Sequence, residues 1–460
     1  MSDPTPAAPT AGMQRLATVL NSVAVGNPVQ LRALRERAAL HVLDWLGNAA
    51  FGTTTVTGQA FGRWLAMQAP GKQPTLAGCG ADAAAAAAYH GALGSLLEMD
   101  DVHRSAILHT GPVVVPAALA AAAPACSGAR LLDAVVVGVE AMVRVGRTLG
   151  PSHYRFWHST GTAGCFGAAA AAAQVLALSG LQTAHALALA GTRAGGLWQV
   201  RHESSQGKAW HMAGAAREGL AAAQLAACGL TGPLGVVEGE SGWLAATAAG
   251  GDVSRLDEAR DGPWLWDLSF KPWPACRHAH PAMDACRELL AARPTSADEI
   301  EAIEVHTYAD ALRFCDRVHP ETEAQARFSI PHALAAWALW GEPALEHYRE
   351  SALTEPRAVA LRGRVRLFED AAVQSRYPEH YGARVVLLRR DGSRSEHELR
   401  DTWGDPARAM PTSAIQAKAA MLMRAAGWPD SRTEAALAAC AALPQAADLD
   451  ALHRVIIGAP

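Results

Sequence analysis

Histidine, lysine and acidic side chains recur in this sequence at points where an apolar helical pattern begins. His158 opens the turn His-Ser-Thr-Gly-Thr directly before an alanine-rich run. The start of a helix carries partial positive charge and unpaired N–H groups, so it favours an anion such as a carboxylate. An imidazole at this point can move protons near neutral pH. With the hydroxyl of Thr160, the turn predicts a site where an anion lies beside a proton-transfer group.

A second polar cluster lies between two apolar helical patterns, at residues 98–109. It contains three acids, among them Glu98 and Asp101, followed by Arg104 and His109. Charged residues are rarely left together without partners or a task. Metal binding is a competing interpretation because Asp and His are metal ligands, but the spacing matches neither H-E-x-x-H nor a comparable pattern. We therefore predict acid–base and binding roles here, and no metal.

Further cations and imidazoles follow along the chain. Lys208 stands at the start of a helical pattern, where a cation is unfavourable unless it reaches a bound anion. Lys271 and Arg277 enclose a segment whose two prolines fix the backbone ahead of another helix. His332 closes the segment Arg-Phe-Ser-Ile-Pro-His. Since arginine suits a bidentate grip on a carboxylate, this inventory predicts an anionic substrate.

The composition limits the classes of function. The chain has 460 residues, half of them hydrophobic, and a net charge of −4, so we expect two domains and no basic stripe for nucleic acid. The eight cysteines show no C-x-x-C pair, which is typical of free thiols in the cytoplasm. Since no apolar run makes a convincing membrane span, we expect a cytoplasmic protein with a small-molecule substrate and without nucleic-acid or membrane partners.

Apolar residues at helical spacing dominate the first 260 residues. Alanine favours helix and lets helices approach closely. The absence of a regular β-α alternation argues against a nucleotide-binding sheet. The helices predicted in this part cover residues 28–46, 81–97, 113–123, 131–149, 163–178, 183–190 and 213–227.

The pattern changes near residue 270. Residues 301–307 alternate as a half-buried strand does, and Asp391-Gly392 is a strong hairpin signal. Further strands are predicted at residues 364–368, 383–388 and 395–399, with helices at 281–292, at 329–340 and from 412 onward. The predicted fold class is therefore mainly α. A disordered leader (1–12) precedes a large all-α helical domain (13–269 and 403–460), into which a smaller α+β lid domain (270–402) is inserted.

These clusters, in this order, resemble the MmgE/PrpD family from about residue 13 to 425. Members of that family include dehydratases, decarboxylases and epimerases of small carboxylic acids. The resemblance implies a homodimer whose active site needs no cofactor. It rests on Ala-Tyr-His-Gly-Ala-Leu at 88–93, Met-Asp-Asp at 99–101, His-Thr-Gly-Pro at 109–112, Gly-Pro-Ser-His-Tyr at 150–154, His-Ser-Thr-Gly-Thr at 158–162, Lys208, Lys-Pro-Trp-Pro at 271–274, Arg-Phe-Ser at 327–329 and Pro411.

The family's site residues map onto matching positions of this chain. Three positions depart from its pattern: Glu98 stands where the decarboxylase-like members carry aspartate, Val102 replaces a hydroxyl residue, and His332 replaces tyrosine. These departures leave the substrate open. The resemblance implies a site of Glu98, His109, His158, Lys208, Lys271 and Arg277, with His332 at the rim. The predicted substrate-binding residues are Lys271, Arg277, Arg104, Thr160 and His332.

One step is common to the reactions that these residues can support: proton transfer at a carbon next to a carboxylate. The intermediate places negative charge on that carboxylate, and fixed cations such as Lys208 stabilise it. His109 and His158 are the predicted acid and base, in either order, with Glu98 or Asp101 orienting one of them. We predict a cofactor-independent lyase of the dehydratase type that acts on a small di- or tricarboxylic acid. An isomerase or epimerase, a decarboxylase and a non-catalytic carboxylate-binding protein are the alternatives.

Overall fold

Helices make up most of the chain, which confirms the predicted mainly α fold class. The computed structural model describes residues 11–24, 27–203 and 205–458. Residues 1–10 of the predicted leader lie outside these described residues, and the first helix begins at Gly12. No helix among the described residues is both long and apolar enough to cross a membrane.

The helices of the described residues are numbered here in chain order. They are α1 (Gly12–Ala24), α2 (Pro28–Gly52), α3 (Val56–Leu65), α4 (Ala83–Leu93), α5 (Gly111–Ala121), α6 (Gly128–Tyr154), α7 (Ser159–Val175), α8 (Gly180–Gly191), α9 (Gly207–Ala227), α10 (Trp243–Thr247), α11 (His280–Ala292), α12 (Ala309–Cys315), α13 (Glu323–Arg327), α14 (Ile330–Trp340), α15 (Glu350–Leu353), α16 (Pro356–Arg362), α17 (Ala371–Gln374), α18 (Thr412–Ala425), α19 (Asp430–Ala442) and α20 (Asp450–Ile457).

The strands in the described part of the chain are short and form three small sheets. Two of these sheets are antiparallel pairs, β1 with β2 and β3 with β4, and the third has the strand order β6-β5-β7-β8. The strands are β1 (Pro70–Pro74), β2 (Gly80–Ala81), β3 (Val102–His103), β4 (Leu268–Ser269), β5 (Ile300–Thr307), β6 (Val365–Glu369), β7 (Ala383–Arg389) and β8 (Arg394–Leu399).

The chain divides into two units, each built from separate segments. The first unit comprises the described residues up to Gly94, Leu108–Trp266 and those from Ala419 onward. The second unit comprises Ser95–Ile107 and Asp267–Lys418. The sequence had assigned residues 95–107, 267–269 and 403–418 to the helical domain, whereas their contacts lie in the second unit. The lid function of this unit remains a prediction.

Helix α7 lies at the centre of the first unit and packs against α5, α6, α8 and α9. Its alanines at 168–173 are all buried, as expected for a helix that is apolar on every side. Two glycines allow the closest approach. A Cβ at Gly138 of α6 would lie 2.9 Å from the carbonyl oxygen of Gly167, and a Cβ at Gly167 would lie 2.7 Å from the Cβ of Met142. The small residues that predicted close helix packing therefore lie where α6 and α7 cross.

Two helices extend beyond their predicted ends. Helix α2 was predicted to end at residue 46, just before Gly47, but it continues to Gly52. A Cβ at Gly47 would lie 2.9 Å from the Cα of Ala419, so this glycine serves close packing. In α6, Gly150 has φ 69 and marks a kink ahead of Pro151, beyond which the helix resumes to Tyr154.

The second unit contains the four-stranded sheet. Strand β5 pairs in parallel with β6 and antiparallel with β7, and β7 pairs antiparallel with β8. The hairpin predicted at Asp391-Gly392 is confirmed, since Gly392 has φ 81 and Leu388 pairs with Arg394. Helix α11 packs on β7 and β8. The buried residues of the sheet, such as Ile303 and Val385, share one apolar core with α11 and α14.

Candidate functional site

His158 lies at the N-terminus of α7, in the first unit. It is the residue before the first helical residue, and its side chain makes no capping hydrogen bond to the helix. Its backbone N–H donates to the carbonyl oxygen of Gly196 at 2.8 Å. Two residues further along, Thr160 uses its hydroxyl oxygen to accept the backbone N–H of His109 at 3.0 Å. The N-terminus of α7 thus begins at one of the two histidines that the sequence predicts as the acid–base pair and contacts the backbone of the other.

His158 is buried and faces a second imidazole. Its Nδ1 lies 3.2 Å from the Nδ1 of His211 on α9, and its ring centroid is 4.4 Å from that of Trp198. Burial, followed by the positive charge of Lys208, lowers the pKa of His211 to about 4. His211 is therefore neutral near pH 7.

The sequence did not single out His211 as a site residue. It follows Lys208 by three positions, and side chains three apart on a helix lie on one face. The spacing was not used as a signal, because the helix was predicted to begin at residue 213 and both residues precede it, whereas α9 begins at Gly207. Lys208 thus belongs to the first turn of α9, at the positive end of the helix. Of the predicted site residues, Thr160, His109, His158 and Lys208 lie in this region of the first unit.

A further histidine of this region, His153, has a different environment. His153 is buried, with its Nδ1 2.9 Å from the hydroxyl of Thr247 and its Nε2 2.9 Å from the hydroxyl of Thr162. Burial lowers the pKa of His153 to about 4. Since both ring nitrogens are held by hydroxyls, His153 is a structural histidine.

In the second unit, Lys271 is fully buried between two carboxylates. Its Nζ lies 3.1 Å from Asp100 Oδ1 and 3.6 Å from Glu98 Oε2. Burial opposes the charged form, but the two carboxylates outweigh it and raise the pKa of Lys271 above its ordinary value. The ammonium is therefore charged and paired within the protein.

A second buried lysine holds this cluster together. Lys418 on α18 donates from Nζ to the carbonyl oxygen of Met99 at 2.7 Å and to that of Lys271 at 3.0 Å. Glu98, next to Met99, has φ 55, in the left-handed region that few residues other than glycine adopt. Such backbone strain persists only where surrounding contacts impose it, and it often marks functional sites. The sequence missed Lys418 because a lysine in a helix is usually solvated.

Arg277 and Arg104 converge on the buried carboxylate of Asp405. Arg277 donates to Asp405, and Nη1 of Arg104 lies 3.8 Å from Asp405 Oδ2 and 2.6 Å from Asp401 Oδ1. Asp405 also accepts the backbone N–H of Thr402 at 3.0 Å. Both arginines that the sequence assigns to substrate binding are thus paired with carboxylates of their own unit.

The structure gives His332 and Asp101 buried positions in the second unit. The Nε2 of His332 lies 2.8 Å from the carbonyl oxygen of His347, and its Nδ1 lies 3.2 Å from Nη1 of Arg362. Burial lowers the pKa of His332 to about 4. Because protein groups occupy both ring nitrogens, this environment favours a structural role for His332 over the predicted contact at the rim of a site.

The acidic cluster is arranged around an ammonium. Among the described residues, no group of three or more His, Cys, Asp or Glu side chains is placed to hold a metal ion. Lys271 lies beside Asp100, and His103 uses Nδ1 to accept the backbone N–H of Ala106 at 3.2 Å. Two of the residues that would serve as metal ligands in the competing interpretation therefore have protein partners.

Two protein-family models together match most of the chain. Residues 14–256 match the MmgE/PrpD N-terminal domain, and residues 273–443 match the MmgE/PrpD C-terminal domain. The human cis-aconitate decarboxylase is 29% identical over 374 residues, 77% of this chain and 76% of the relative. The 2-methylcitrate dehydratase of Cupriavidus necator is 27% identical over 215 residues, 45% of this chain and 44% of the relative.

A third relative matches a shorter part of the chain more closely. The cis-aconitate decarboxylase-like protein oryM of Aspergillus oryzae is 39% identical over 158 residues, 32% of this chain and 33% of the relative. The two domain matches follow one another along the chain and carry the assignment of the family. The chain belongs to the MmgE/PrpD family.

Proposed function

We propose that this protein is a cofactor-independent lyase of the dehydratase type that acts on a small di- or tricarboxylic acid. One observation carries the proposal: the backbone contact of His109 with Thr160 joins it to the turn that begins at His158. Two histidines, whose imidazoles are the usual groups for proton transfer near pH 7, thus have their backbones at one helix N-terminus. The family and two of its named members support a carboxylate substrate.

The proposed reaction begins at a carbon next to a carboxylate. One histidine, His158 or His109, takes the proton from that carbon, and the electron pair passes toward the carboxylate. The other histidine, in its protonated form, gives a proton to a hydroxyl group on the neighbouring carbon. The C–O bond then breaks, water leaves, and a carbon–carbon double bond forms. Which histidine acts as base is left open.

The charge of the intermediate needs stabilisation. Lys208 brings a cation to the first turn of α9, and the N-terminus of α7 brings backbone N–H groups with partial positive charge. Fixed charges of this kind lower the free energy of a carbanion-like intermediate more than that of the substrate. We propose Lys208 as the group that stabilises the carboxylate and Thr160 as a contact to substrate.

The remaining proposed roles, orientation and carboxylate binding, are assigned to residues of the second unit. Glu98 and Asp101 are proposed to orient an acid–base group, and Lys271, Arg277 and Arg104 to contribute positive charge for carboxylate binding. Each of these cations already has a carboxylate partner in the structure. The negative charge of each partner therefore offsets part of the cation's positive charge, which favours the role of a rigid binding frame over that of an isolated cation.

Decarboxylation is the second candidate, and the relatives favour it. The human cis-aconitate decarboxylase matches over about three quarters of both chains. In that reaction the C–C bond to a carboxylate breaks and carbon dioxide leaves. The electron pair stays on the carbon, which an acid then protonates. The same histidines would supply the acid, and Lys208 would stabilise the negative charge.

Epimerisation is a further alternative. In that reaction the proton returns to the carbon on the opposite face, and no leaving group is needed.

A turnover screen in heavy water distinguishes these reactions. Citrate-like, aconitate-like and amino-dicarboxylate substrates would be incubated with the full chain and followed by NMR. Dehydration is expected to give an unsaturated acid, with deuterium at the carbon next to a carboxylate in the reverse direction. Carbon dioxide release would establish the decarboxylase, and a deuterated dicarboxylate with inverted configuration at that carbon would establish the epimerase. Turnover of a carboxylate with no deuterium in substrate or product, and with no C–H bond broken next to a carboxylate, would refute the proposed proton transfer.

A further inference from the structure

We infer that His211 is a positioning residue, which acts through His158 by accepting a hydrogen bond from Nδ1–H of that ring. The inference rests on the proposed function for its role in catalysis, but the hydrogen bond itself is a property of the substrate-free protein. His211 therefore adds to the acid–base group a partner that the sequence did not single out.

The geometry allows one proton between the two rings. The two Nδ1 atoms are 3.2 Å apart, which is a hydrogen-bond distance between nitrogens. The ring planes are inclined by 51°, with centroids 5.4 Å apart, so the rings meet edge to edge and do not stack. If both Nδ1 atoms carried protons, two N–H donors would face each other. One ring must therefore present a lone pair.

The chemistry of His158 decides which ring this is. A histidine base becomes an imidazolium once it has taken a proton, and a histidine acid is an imidazolium before it gives one. An imidazolium carries protons on both nitrogens. In either role, the charged form of His158 points an N–H at His211. His211 must then be neutral, with its own proton on Nε2 and a lone pair on Nδ1.

The surroundings of His211 keep it neutral. It is partly buried on α9, and Lys208, one turn before it, places a positive charge nearby. Together burial and this charge hold the pKa of His211 near 4. The proton taken from a substrate would stay on Nε2 of His158, and the Nδ1 proton would stay between the rings. No proton needs to pass to His211, which resembles the role of the aspartate in a serine-protease triad.

A glycine makes room for this pair. Gly196 has φ 126, a backbone conformation that side chains rarely adopt, and its carbonyl oxygen accepts the backbone N–H of His158. A Cβ at Gly196 would lie 3.1 Å from Cγ of His211 and 3.2 Å from its Nδ1. The segment around Gly196 thus fixes the backbone of one histidine and the ring of the other.

The tautomers can be measured without a substrate. Protein labelled with ¹⁵N-histidine, observed by long-range ¹H–¹⁵N correlation near pH 7.5, separates protonated from unprotonated ring nitrogens. His158→Ala and His211→Phe identify the two sets of signals. We expect a protonated Nδ1 on His158 and an unprotonated Nδ1 on His211. The opposite assignment would overturn the inference, whichever reaction the protein performs.

Two substitutions separate hydrogen bonding from packing. His211→Asn keeps an acceptor oxygen near the position of Nδ1 but loses ring volume, whereas His211→Phe keeps the ring and loses the acceptor. With a substrate in hand, His211→Phe is expected to lower kcat by roughly 10²-fold, the scale of a lost acid–base contribution, with little change in KM. His211→Asn should recover most of that loss. A Phe variant faster than the Asn variant would assign His211 to packing and overturn the inference.

The two proposals fail in different ways. A correct pair of tautomers with no turnover of any carboxylate would contradict the proposed function alone. Turnover by a protein in which His211 carries the Nδ1 proton would contradict the inference alone. Gly196→Ala is a further check, because the added Cβ would displace the His211 ring without removing either imidazole. It should lower kcat in the same direction as His211→Phe.

Discussion

Two buried histidines five positions apart, His153 and His158, have opposite environments. Threonine hydroxyls hold both ring nitrogens of His153, whereas the Nδ1 of His158 faces another imidazole at the start of a helix. A residue held on all sides stabilises the fold. A residue whose hydrogen-bond partner is itself a neutral base is suited to gain and lose a proton.

The first prediction follows from that contrast. His158→Ala and Lys208→Ala are each expected to lose at least about 10²-fold in turnover, because they remove an acid–base group or a charge at the reacting carboxylate. Neither should change the melting temperature much. His153→Ala is the matched control: it should lower the melting temperature, since it leaves two threonine hydroxyls without their partner. Near wild-type turnover in His158→Ala or Lys208→Ala would remove that residue from the mechanism.

A second prediction concerns acid stability. His90 is completely buried, its Nε2 accepts the backbone N–H of Leu76 at 3.2 Å, and burial lowers its pKa to about 3. Above pH 6.5, the ordinary pKa of histidine, both the folded and the unfolded protein hold this ring neutral. As the pH falls from 6.5 toward 3, only the unfolded chain gains the proton, so the free energy of unfolding decreases.

His90→Gln tests this linkage, because the glutamine keeps an acceptor and cannot titrate in that range. The free energy of unfolding from urea titrations should fall less steeply with decreasing pH in the variant than in the wild type. Other buried histidines such as His153 have lowered pKa values too, so only part of the slope should disappear. His202→Gln, at an exposed position, should leave the slope unchanged. Equal slopes in wild type and His90→Gln would show that His90 does not contribute.

The sequence identified candidate site residues where a charged or titratable side chain stands at the start of an apolar helical pattern. His158 and Lys208 drew notice because each precedes an apolar pattern, and the structure gives both a place at a helix N-terminus. His211 and Lys418 escaped notice for a physical reason. Their roles depend on where a helix begins and on backbone carbonyls distant in the sequence, and neither can be read from residue type.

At the scale of elements, the positions of long helices and strands were predicted well and their ends less well. Apolar spacing located the bodies of α7 and α9, but both begin several residues earlier than predicted. The first turns are polar, and polar residues weaken the apolar pattern. The features that obscure the ends of these helices are thus residues to which the proposed chemistry is assigned.

A third prediction tests the crossing of α6 and α7. Gly138→Ala would place a Cβ 2.6 Å from a Val114 methyl and 2.9 Å from the carbonyl oxygen of Gly167. Overpacking of a core costs about 1–3 kcal/mol, which exceeds the gain of up to about 1 kcal/mol that alanine brings to a helix. The melting temperature should therefore fall.

Gly62→Ala is the matched control for that substitution. Gly62 lies within α3, and a Cβ there would meet no atom within 4 Å. Helix propensity then acts alone, and the melting temperature should stay the same or rise. A stabilised Gly138→Ala variant would mean that the two helices separate without loss, contrary to the packing described here.

At the scale of the whole molecule, we propose a homodimer built through the helical domain. The proposal follows from the resemblance to the family, and soluble homo-oligomers are usually two-fold symmetric. The first unit also exposes large apolar side chains, with Val56 and Met67 about four fifths exposed. Light scattering at micromolar concentration should give twice the mass of the 48.2 kDa chain. A mass equal to one chain would contradict this fourth prediction.

The fifth prediction concerns metal ions and cofactors. The carboxylates of Glu98 and Asp100 already have the Lys271 ammonium beside them, so a divalent cation would meet a fixed positive charge there. We therefore propose that dialysis against a strong chelator leaves turnover intact. Loss of activity that one added metal restores would assign Asp100, Asp101, His103 and His109 a role as ligands.

The division of the chain has a consequence for how it folds while the ribosome synthesises it. Residues Ser95–Ile107 emerge early, but the rest of their unit, Asp267–Lys418, emerges only after Leu108–Trp266 has been made. The first unit in turn waits for the segment that begins at Ala419. Neither unit can therefore complete its fold until most of the chain has been synthesised. Contacts between such distant segments also form slowly. During that interval the alanine-rich helices have no complete core, so the nascent protein should depend on chaperones more than a chain of two consecutive domains would.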